Sequence, residues 1–227
     1  MSGHRGLPLA ILISGRGSNM VAIAQACTAG RIDARVNHVI CDQPAAAGVT
    51  RAHDLGLATS VVARAAFEGQ GAFEEALAGA INAEENELVV LAGFMRILSP
   101  QFVARYAGRM LNIHPSLLPR YRGLNTHRRV LAAGDAHHGA SVHFVTAALD
   151  AGPVVLQSRV PVLPGDTEQS LAERVHATEH VIYPKVIGWS AQGRLVWRDD
   201  RAWFDGEALD EPMLEILHSP SDGNAWR

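Results

Sequence analysis

The chain has 227 residues, of which 48% are hydrophobic and 19% are charged, enough to bury the core of one α/β domain. Its formal net charge of -3 argues against a nucleic-acid partner, because surfaces that neutralise phosphates are usually strongly basic. Its two cysteines lack the CxxC spacing of a zinc or dithiol redox centre, so we expect reduced, buried thiols.

The N-terminus shows no targeting pattern. Only about six apolar residues precede Ser14, which is too short a run for a signal sequence or a membrane span. We therefore expect a cytoplasmic protein with no membrane partner.

The first half of the chain alternates strand and helix patterns. Continuous apolar runs predict strands buried on both faces of a parallel sheet, at residues 9–13, 36–40, 57–62, 88–92 and 110–113. Helical patterns lie between or after them, at residues 20–29, 45–55, 73–85 and 101–106. This alternation predicts a single-domain, Rossmann-like α/β fold with a mostly parallel twisted sheet and helices on both faces.

The first predicted strand runs into LISGRGSN, residues 12–19. Two glycines match the GxGxxG dinucleotide fingerprint, but Met20 stands where the third glycine should be, and the Lys-Ser/Thr ending of a P-loop is missing. A glycine-rich turn before a helix N-terminus still binds an anion through its free N–H groups. Three interpretations stay open: a monophosphate site, a dinucleotide site with Asp42 as the ribose-binding acid, and a tight turn capped by Ser18.

Asn112 and His114 lie two residues apart at the end of the fifth predicted strand, so their side chains share one face. Ligands bind at this edge of open α/β sheets. A carboxamide and an imidazole can both donate hydrogen bonds to a developing oxyanion, and Asp150, in a later loop, could favour the charged imidazole. These three residues predict an acid and oxyanion site, with a purely structural histidine as the alternative.

Several histidines raise the alternative of a metal site. They are His127, His137, His138 and His143. Neither an HExxH motif nor a paired Cys/His pattern accompanies them, so we expect no metal.

The second half of the chain changes character. HPSLLPRYRGLNTHR, residues 114–128, is rich in proline and glycine and predicts a loop. Strand patterns at residues 141–145 and 154–162 predict a mixed extension of the sheet, followed by a long helix capped by Asp166-Thr167 and a hairpin in LVWRDDRAWFDGEAL. We expect one domain over residues 1–210 and a frayed C-terminal tail at 211–227.

Six segments of the chain resemble the glycinamide ribonucleotide formyltransferases, folate-dependent enzymes of purine biosynthesis. They are LISGRGSN, VVLAGFMRILSP, LNIHPSLLPRYRG, HGASVHFV, LDAGPVVLQ and ATEHVIYP, in the expected order over residues 9–205. Formyltetrahydrofolate deformylases and methionyl-tRNA formyltransferases differ in the NIHPSLLP segment. The former usually add an N-terminal regulatory domain and the latter an RNA-binding domain, neither of which we expect here.

The resemblance implies a transfer of a formyl group from 10-formyltetrahydrofolate, a co-substrate, to the amine of glycinamide ribonucleotide, without a metal. Asn112 and His114 would stabilise the tetrahedral intermediate while Asp150 assists. The implied ribonucleotide-binding residues are Gly17, Ser18, Asn19 and Glu179. The implied folate-binding residues are Met95, Arg96, Ile97, Leu98, Asn112, Thr146 and Asp150.

The sequence departs from the family pattern at Gln70, where the resemblance leads us to expect an arginine near the folate glutamate tail. Two alternatives stay open: a formyltetrahydrofolate deformylase with the same three catalytic residues, and a nucleotide-binding module without catalysis. The partners we expect are the two small molecules, and the chain could act as a monomer or a homodimer.

Overall fold

An eight-stranded sheet is the scaffold of the molecule, for which the computed structural model describes residues 6–82 and 85–216. The strands are β1 (Leu7–Ile13), β2 (Ala34–Cys41), β3 (Thr59–Val61), β4 (Leu88–Leu91), β5 (Met110–His114), β6 (His137–Phe144), β7 (Val154–Pro161), β8 (Leu195–Arg198), β9 (Arg201–Phe204), β10 (Glu207–Ala208) and β11 (Met213–Ile216). The α-helices are α1 (Ser18–Thr28), α2 (Ala47–Asp54), α3 (Gln70–Ile81), α4 (Pro100–Arg105), α5 (Thr126–Ala133) and α6 (Glu168–Ala191).

The strand order in the large sheet is β11-β7-β6-β5-β4-β1-β2-β3. Neighbouring strands pair in parallel except at β6, which is antiparallel to both β5 and β7. Strands β8, β9 and β10 form a separate antiparallel sheet. The predicted α/β class, the mostly parallel sheet and the mixed C-terminal extension are therefore confirmed.

Both faces of the sheet are buried, as the continuous apolar runs predict. In β1, Leu9, Ile11 and Ile13 join the apolar cluster that includes α1 and α6. Ala10 and Leu12 point to the other face and pack in the cluster that includes α3 and α4. Each fully buried leucine or isoleucine contributes about 2 kcal/mol of transfer free energy, so β1 anchors both layers.

Two predictions about the second half of the chain are wrong in part. The predicted loop at residues 114–128 overlaps α5, which begins at Thr126 and buries Val130. The predicted frayed tail contains β11, which extends the large sheet by pairing in parallel with β7. Residues 217–227 of that tail lie outside the described residues.

Helix boundaries also differ from the predicted ones. α3 begins at Gln70 rather than at residue 73, and it ends at Ile81 because Asn82 takes a left-handed backbone with φ 44. α4 begins as predicted, with the Ser99 side chain accepting a hydrogen bond from the N–H of Phe102. Within the described ranges, none of the helices combines the length and the apolar character needed to cross a membrane.

Candidate active site

The loops after β1, β4 and β5 meet at one edge of the large sheet. Strand β4 lies between β1 and β5, and all three run in the same direction. Their carboxyl ends therefore bring the LISGRGSN loop, residues 95–98 and the Asn112–His114 segment to the same side of the molecule.

His114 is buried and has an acceptor at each ring nitrogen. Its Nδ1 lies 3.4 Å from Asp150 Oδ2, and its Nε2 lies 3.0 Å from the carbonyl oxygen of Tyr121. A neutral imidazole can donate only one hydrogen bond, whereas the imidazolium donates two. The protein thus offers a hydrogen-bond acceptor to each ring nitrogen of His114.

Asp150 connects two loops above the sheet. Its backbone is left-handed, with φ 47, a conformation in which aspartate is enriched among non-glycine residues. Its Oδ2 accepts a hydrogen bond of 2.9 Å from the N–H of Gly123, in the loop after β5. The carboxylate thus holds the loop after β6 against the loop after β5, next to His114.

Asn112 points to His143 on the neighbouring strand. The antiparallel register of β5 and β6 places the two residues opposite each other, and Asn112 Nδ2 lies 3.1 Å from His143 Nε2. His143 Nδ1 lies 2.8 Å from the carbonyl of Phe144, so Nδ1 carries the proton and Nε2 accepts from Asn112. Burial lowers the pKa of His143 to about 4, which keeps this tautomer neutral at pH 7.

His143 is a site residue that the sequence reasoning did not assign, because the histidines around it suggested only a metal alternative. His143 is identified by the antiparallel register of β5 and β6, which places it opposite Asn112 and cannot be read from the sequence alone. Its Nε2 also lies 3.9 Å from Asp150 Oδ1, so it touches two of the three predicted catalytic residues.

A cavity of about 130 Å³ opens beside Asn112 and Asp150. It is lined by Leu91, Phe94, Arg96, Ile97, Leu98, Val103, Asn112, His143 and residues 145–150. The structure therefore brings together every predicted folate-binding residue except Met95, which is 68% exposed and outside the lining. The N–H of Met95 donates instead to Ser14 Oγ, at 2.8 Å.

Arg96 and Asp42 form an ion pair across this edge of the sheet. Arg96 Nε contacts Asp42 Oδ2, and the Asp42 side chain is fully buried. Asp42 was the one feature that favoured a dinucleotide site, and its carboxylate is already engaged by Arg96. Because the Asp42 side chain is fully buried, a ribose could not reach it in this structure, and its pairing with Arg96 ties residues 95–98 to the end of β2.

Gln70, the first residue of α3, also contacts the segment of residues 95–98. Its Nε2 donates to the carbonyl of Ile97 at 3.2 Å and to Glu74 Oε1 at 2.9 Å. Burial opposes ionisation of Glu74, but hydrogen bonds from Ser99 and Gln70 prevail and lower its pKa. The residue that replaces the expected arginine is thus part of the scaffold of residues 97–99.

The LISGRGSN loop forms an open cradle at the start of α1. Gly17 is the N-cap residue with a left-handed backbone, φ 69, and no side chain caps the helix. The first turn carries no acidic residue, so its N–H groups and the positive end of the helix dipole are available to an anion. Met20 is fully buried in the core, which explains why no third glycine stands there.

Helix α2 packs directly on this cradle through a second glycine. A Cβ on Gly17 would lie 3.0 Å from the Cα of Gly48, and a Cβ on Gly48 would lie 2.7 Å from the carbonyl oxygen of Gly15. The backbones approach so closely that no side chain fits between them.

A polar cluster from α6 adjoins the cradle. Asn19 Nδ2 donates to Glu179 Oε2 at 2.8 Å, and His176 Nδ1 lies 3.1 Å from the same oxygen. His176 Nε2 lies 2.6 Å from Ser18 Oγ. The structure therefore joins the predicted ribonucleotide-binding residues and adds His176, one helical turn before Glu179. The sequence did not point to His176, because its contact with Ser18 depends on the packing of α6 against α1.

The histidines of the metal alternative have other partners. His127 Nδ1 lies 3.0 Å from His138 Nε2, and burial lowers the pKa of both rings, that of His138 to about 4. His143 faces Asn112, and His137 is exposed. Over residues 6–82 and 85–216, no three His, Cys, Asp or Glu side chains group as metal ligands do.

Comparison with protein families matches residues 7–187 to the formyl transferase family. The phosphoribosylglycinamide formyltransferase of Escherichia coli (strain K12) is 51% identical over 201 residues, which cover 88% of this chain and 95% of that protein. A structure of the phosphoribosylglycinamide formyltransferase from Coxiella burnetii is 44% identical, with a TM-score of 0.87, and the match covers 92% of this chain and 99% of that one.

A formyltetrahydrofolate deformylase structure from Burkholderia mallei ATCC 23344 is more distant. It is 24% identical with a TM-score of 0.79, and the match covers 88% of this chain and 70% of that one. A likeness at this identity shows the fold alone.

Proposed function

The chain belongs to the formyl transferase family, and we propose that it transfers the formyl group of 10-formyltetrahydrofolate to the amine of glycinamide ribonucleotide in purine biosynthesis. One observation carries the proposal: Asn112, His114 and Asp150 converge beside a cavity, while an anion cradle opens on the same edge of the sheet. A two-substrate transfer needs both features, because the formyl donor and the phosphorylated acceptor must meet at one oxyanion site.

The cavity is the proposed folate subsite. Its largely apolar lining and the backbone of residues 96–98 suit a flat heterocycle that needs both dispersion contacts and hydrogen bonds. Thr146 and Asp150 lie in the loop that forms its outer wall. We assign the cradle of Gly17, Ser18 and Asn19 to the phosphate of the ribonucleotide, with Glu179 beside it.

The proposed chemistry is direct attack of the acceptor amine on the formyl carbon. The new C–N bond produces a tetrahedral intermediate with an oxyanion and an ammonium group. Asn112 donates one amide hydrogen to His143, which leaves the second free to stabilise the oxyanion together with His114. A proton then moves from the attacking nitrogen to N10 of the folate, Asp150 assisting its transfer, and the C–N10 bond breaks.

The geometry of His114 places a condition on this step. Each ring nitrogen of His114 already has a protein acceptor, so the formyl oxygen must share or replace one of them. The contact with Asp150, at 3.4 Å, is longer than the contact with Tyr121, at 3.0 Å. We therefore expect the oxyanion to approach Nδ1, on the Asp150 side of the ring.

Substitution of His114 tests the proposal. With both substrates present, His114→Ala should reduce kcat by about 100-fold or more, as expected for the loss of a principal oxyanion donor. The matched control is His137→Ala, because His137 is an exposed histidine at the start of β6 and should leave kcat unchanged. A folded His114→Ala protein with near-normal kcat would exclude His114 from the reaction.

Omitting one substrate separates the alternatives. Folate absorbance is followed with 10-formyltetrahydrofolate alone and with glycinamide ribonucleotide added. Turnover only with the ribonucleotide supports the proposed transfer, and equal turnover without it supports a deformylase. Absence of turnover in both mixtures points to a binding module.

A further inference from the structure

A buried tyrosine hydroxyl connects the two strands that lead into the site. Tyr183 lies on α6 and is fully buried, and its Oη is 3.0 Å from the carbonyl oxygen of Leu91 and 3.0 Å from that of Leu111. Leu91 is the last residue of β4, and Leu111 lies in the adjacent parallel strand β5. The hydroxyl is therefore equally far from one carbonyl on each strand.

Each of these carbonyls lies next to one half of the site. The chain after Leu91 supplies Phe94 and residues 96–98 to the cavity lining, and Leu111 directly precedes Asn112. Leu91 and Asn112 are also partners in the register of β4 and β5. A change in the spacing of the two strands would therefore move Asn112 relative to the cavity wall.

The hydroxyl of Tyr183 stays a donor throughout the neutral pH range. Burial raises its pKa well above the ordinary value, and the charge of Glu179 acts in the same direction. A carbonyl oxygen can only accept, so the single proton of Tyr183 serves Leu91, Leu111 or both. Separating the strands would leave a buried hydroxyl without a partner, which costs free energy and opposes the movement.

Helix α6 also contacts the LISGRGSN cradle. Glu179 lies four residues before Tyr183, on the same face of the helix, and accepts a hydrogen bond of 2.8 Å from Asn19. The same helix therefore touches the cradle through Glu179 and the strands β4 and β5 through Tyr183.

We propose that Tyr183 is a positioning residue, whose hydroxyl holds Asn112 in place against the cavity wall by donating to the carbonyls of Leu91 and Leu111. This inference rests on the proposed function, since it takes Asn112 as the oxyanion donor. Tyr183 lies outside the cavity lining, so it acts through the backbone of β4 and β5. A displacement of about 1 Å in a catalytic group can cost about 100-fold in rate, so the hydroxyl should affect kcat more than ribonucleotide affinity.

The test starts from Tyr183→Phe, which keeps the aromatic ring and removes only the hydroxyl. The protein should fold, with a lower urea midpoint than the wild type, because one buried hydrogen bond is lost. Its kcat should fall about 10-fold, and its KM for the ribonucleotide should change less than twofold. The loss in kcat should be the same from pH 6 to pH 9, because the missing hydroxyl does not titrate there.

The matched control is Ser158→Ala, which removes another buried hydroxyl contact between α6 and the sheet. Ser158 is fully buried on β7, and its Oγ lies 2.6 Å from Thr178 Oγ1 on α6. Strand β6 separates β7 from β5, and Ser158 is not part of the cavity lining. Ser158→Ala should lower the urea midpoint to a similar extent while kcat stays within about twofold of the wild type.

The side-chain amide signal of Asn112 in a proton–nitrogen NMR spectrum reports its position without turnover. The signal is assigned by its loss in Asn112→Asp, and it should shift in Tyr183→Phe but not in Ser158→Ala. An unshifted Asn112 signal, a kcat loss absent from Tyr183→Phe or equal in Ser158→Ala, or a Tyr183→Phe protein that does not fold would overturn the proposal. If the wild type does not turn over while the signal shifts in Tyr183→Phe alone, the proposed function fails and the positioning of Asn112 by Tyr183 is supported.

Discussion

A hydrogen bond to His143 fixes the orientation of the Asn112 carboxamide, because only the amide nitrogen Nδ2 can donate to His143 Nε2. The Nδ1–H of His143 is engaged by the carbonyl of Phe144, and burial lowers the pKa of the ring to about 4. The unprotonated Nε2 therefore accepts from Asn112 Nδ2 at all pH values near neutrality. We infer that His143 is a positioning residue for Asn112, the proposed oxyanion donor.

Replacing His143 should lower kcat more than it changes binding. His143→Leu removes the acceptor, so the amide of Asn112 can rotate, and we expect kcat to fall by about 10- to 100-fold, the range for a misplaced catalytic group. His143→Gln restores a carbonyl acceptor and should recover much of that loss. Steady-state kinetics with both substrates measure the effect.

The matched control for this series is His138→Gln. His138 is another buried histidine of β6, but it contacts His127 and not Asn112, so its kcat should stay within about twofold of the wild type. Equal losses in His143→Leu and His143→Gln, without rescue, would contradict a positioning role and indicate a packing role instead.

At the residue scale, the sequence alone predicts which side chains share a face of a strand. Asn112 and His114 share a face because they lie two residues apart in β5, and in the structure His114 contacts Asp150 while Asn112 lines the same cavity as Asp150. His143 and His176 escaped assignment because one depends on an antiparallel register and the other on the packing of α1 against α6. Neither relation leaves a local pattern in the sequence.

Helix α2 packs against the LISGRGSN cradle through the close contact of Gly48. A Cβ there would lie 2.6 Å from Ile13 Cδ1 and 2.7 Å from the carbonyl of Gly15, and the second atom cannot rotate away. We expect Gly48→Ala to lower the free energy of unfolding by about 1 to 3 kcal/mol, the usual cost of overpacking. The shifted loop should also raise the KM for the ribonucleotide.

Urea unfolding and kinetics of Gly48→Ala are compared with Gly79→Ala, in α3. A Cβ at Gly79 meets no atom within 4 Å, so alanine there should raise stability by about 0.5 to 1 kcal/mol through helix propensity. A Gly48→Ala protein as stable as the wild type, with normal KM, would show that the helix can move without disturbing the cradle.

At the element scale, long and strongly patterned segments were predictable and short ones were not. The buried strands of the sheet and α6 carry continuous apolar or capped patterns. α5 has eight residues, of which only Thr126 and Val130 are buried, so its apolar pattern is too weak to predict a helix next to a proline- and glycine-rich segment. β11 has four partly exposed residues in a polar tail and depends on the edge of β7 for its hydrogen bonds.

The whole molecule carries a pH dependence that comes from its buried histidines. Burial is the first cause that lowers the pKa of His138 and of His143 from 6.5 to about 4. Between those values the unfolded chain binds a proton at each site and the folded protein does not. The stability that these groups contribute is therefore present above pH 6.5 and is lost as pH falls toward 4.

The free energy of unfolding should accordingly fall by roughly 1.4 kcal/mol per pH unit for each of these two histidines. Hydrogen bonds lower the pKa of Asp166 and Glu74, so their contribution is lost only below about pH 4.5, and urea unfolding from pH 7.5 to 5 avoids it. His138→Gln should remove its own contribution and reduce the slope by roughly 1.4 kcal/mol per pH unit. If the free energy of unfolding of His138→Gln depended on pH with the same slope as the wild type, His138 would have the same pKa in the folded and unfolded states. Such a result would mean that water reaches β6 through a local opening of the folded protein.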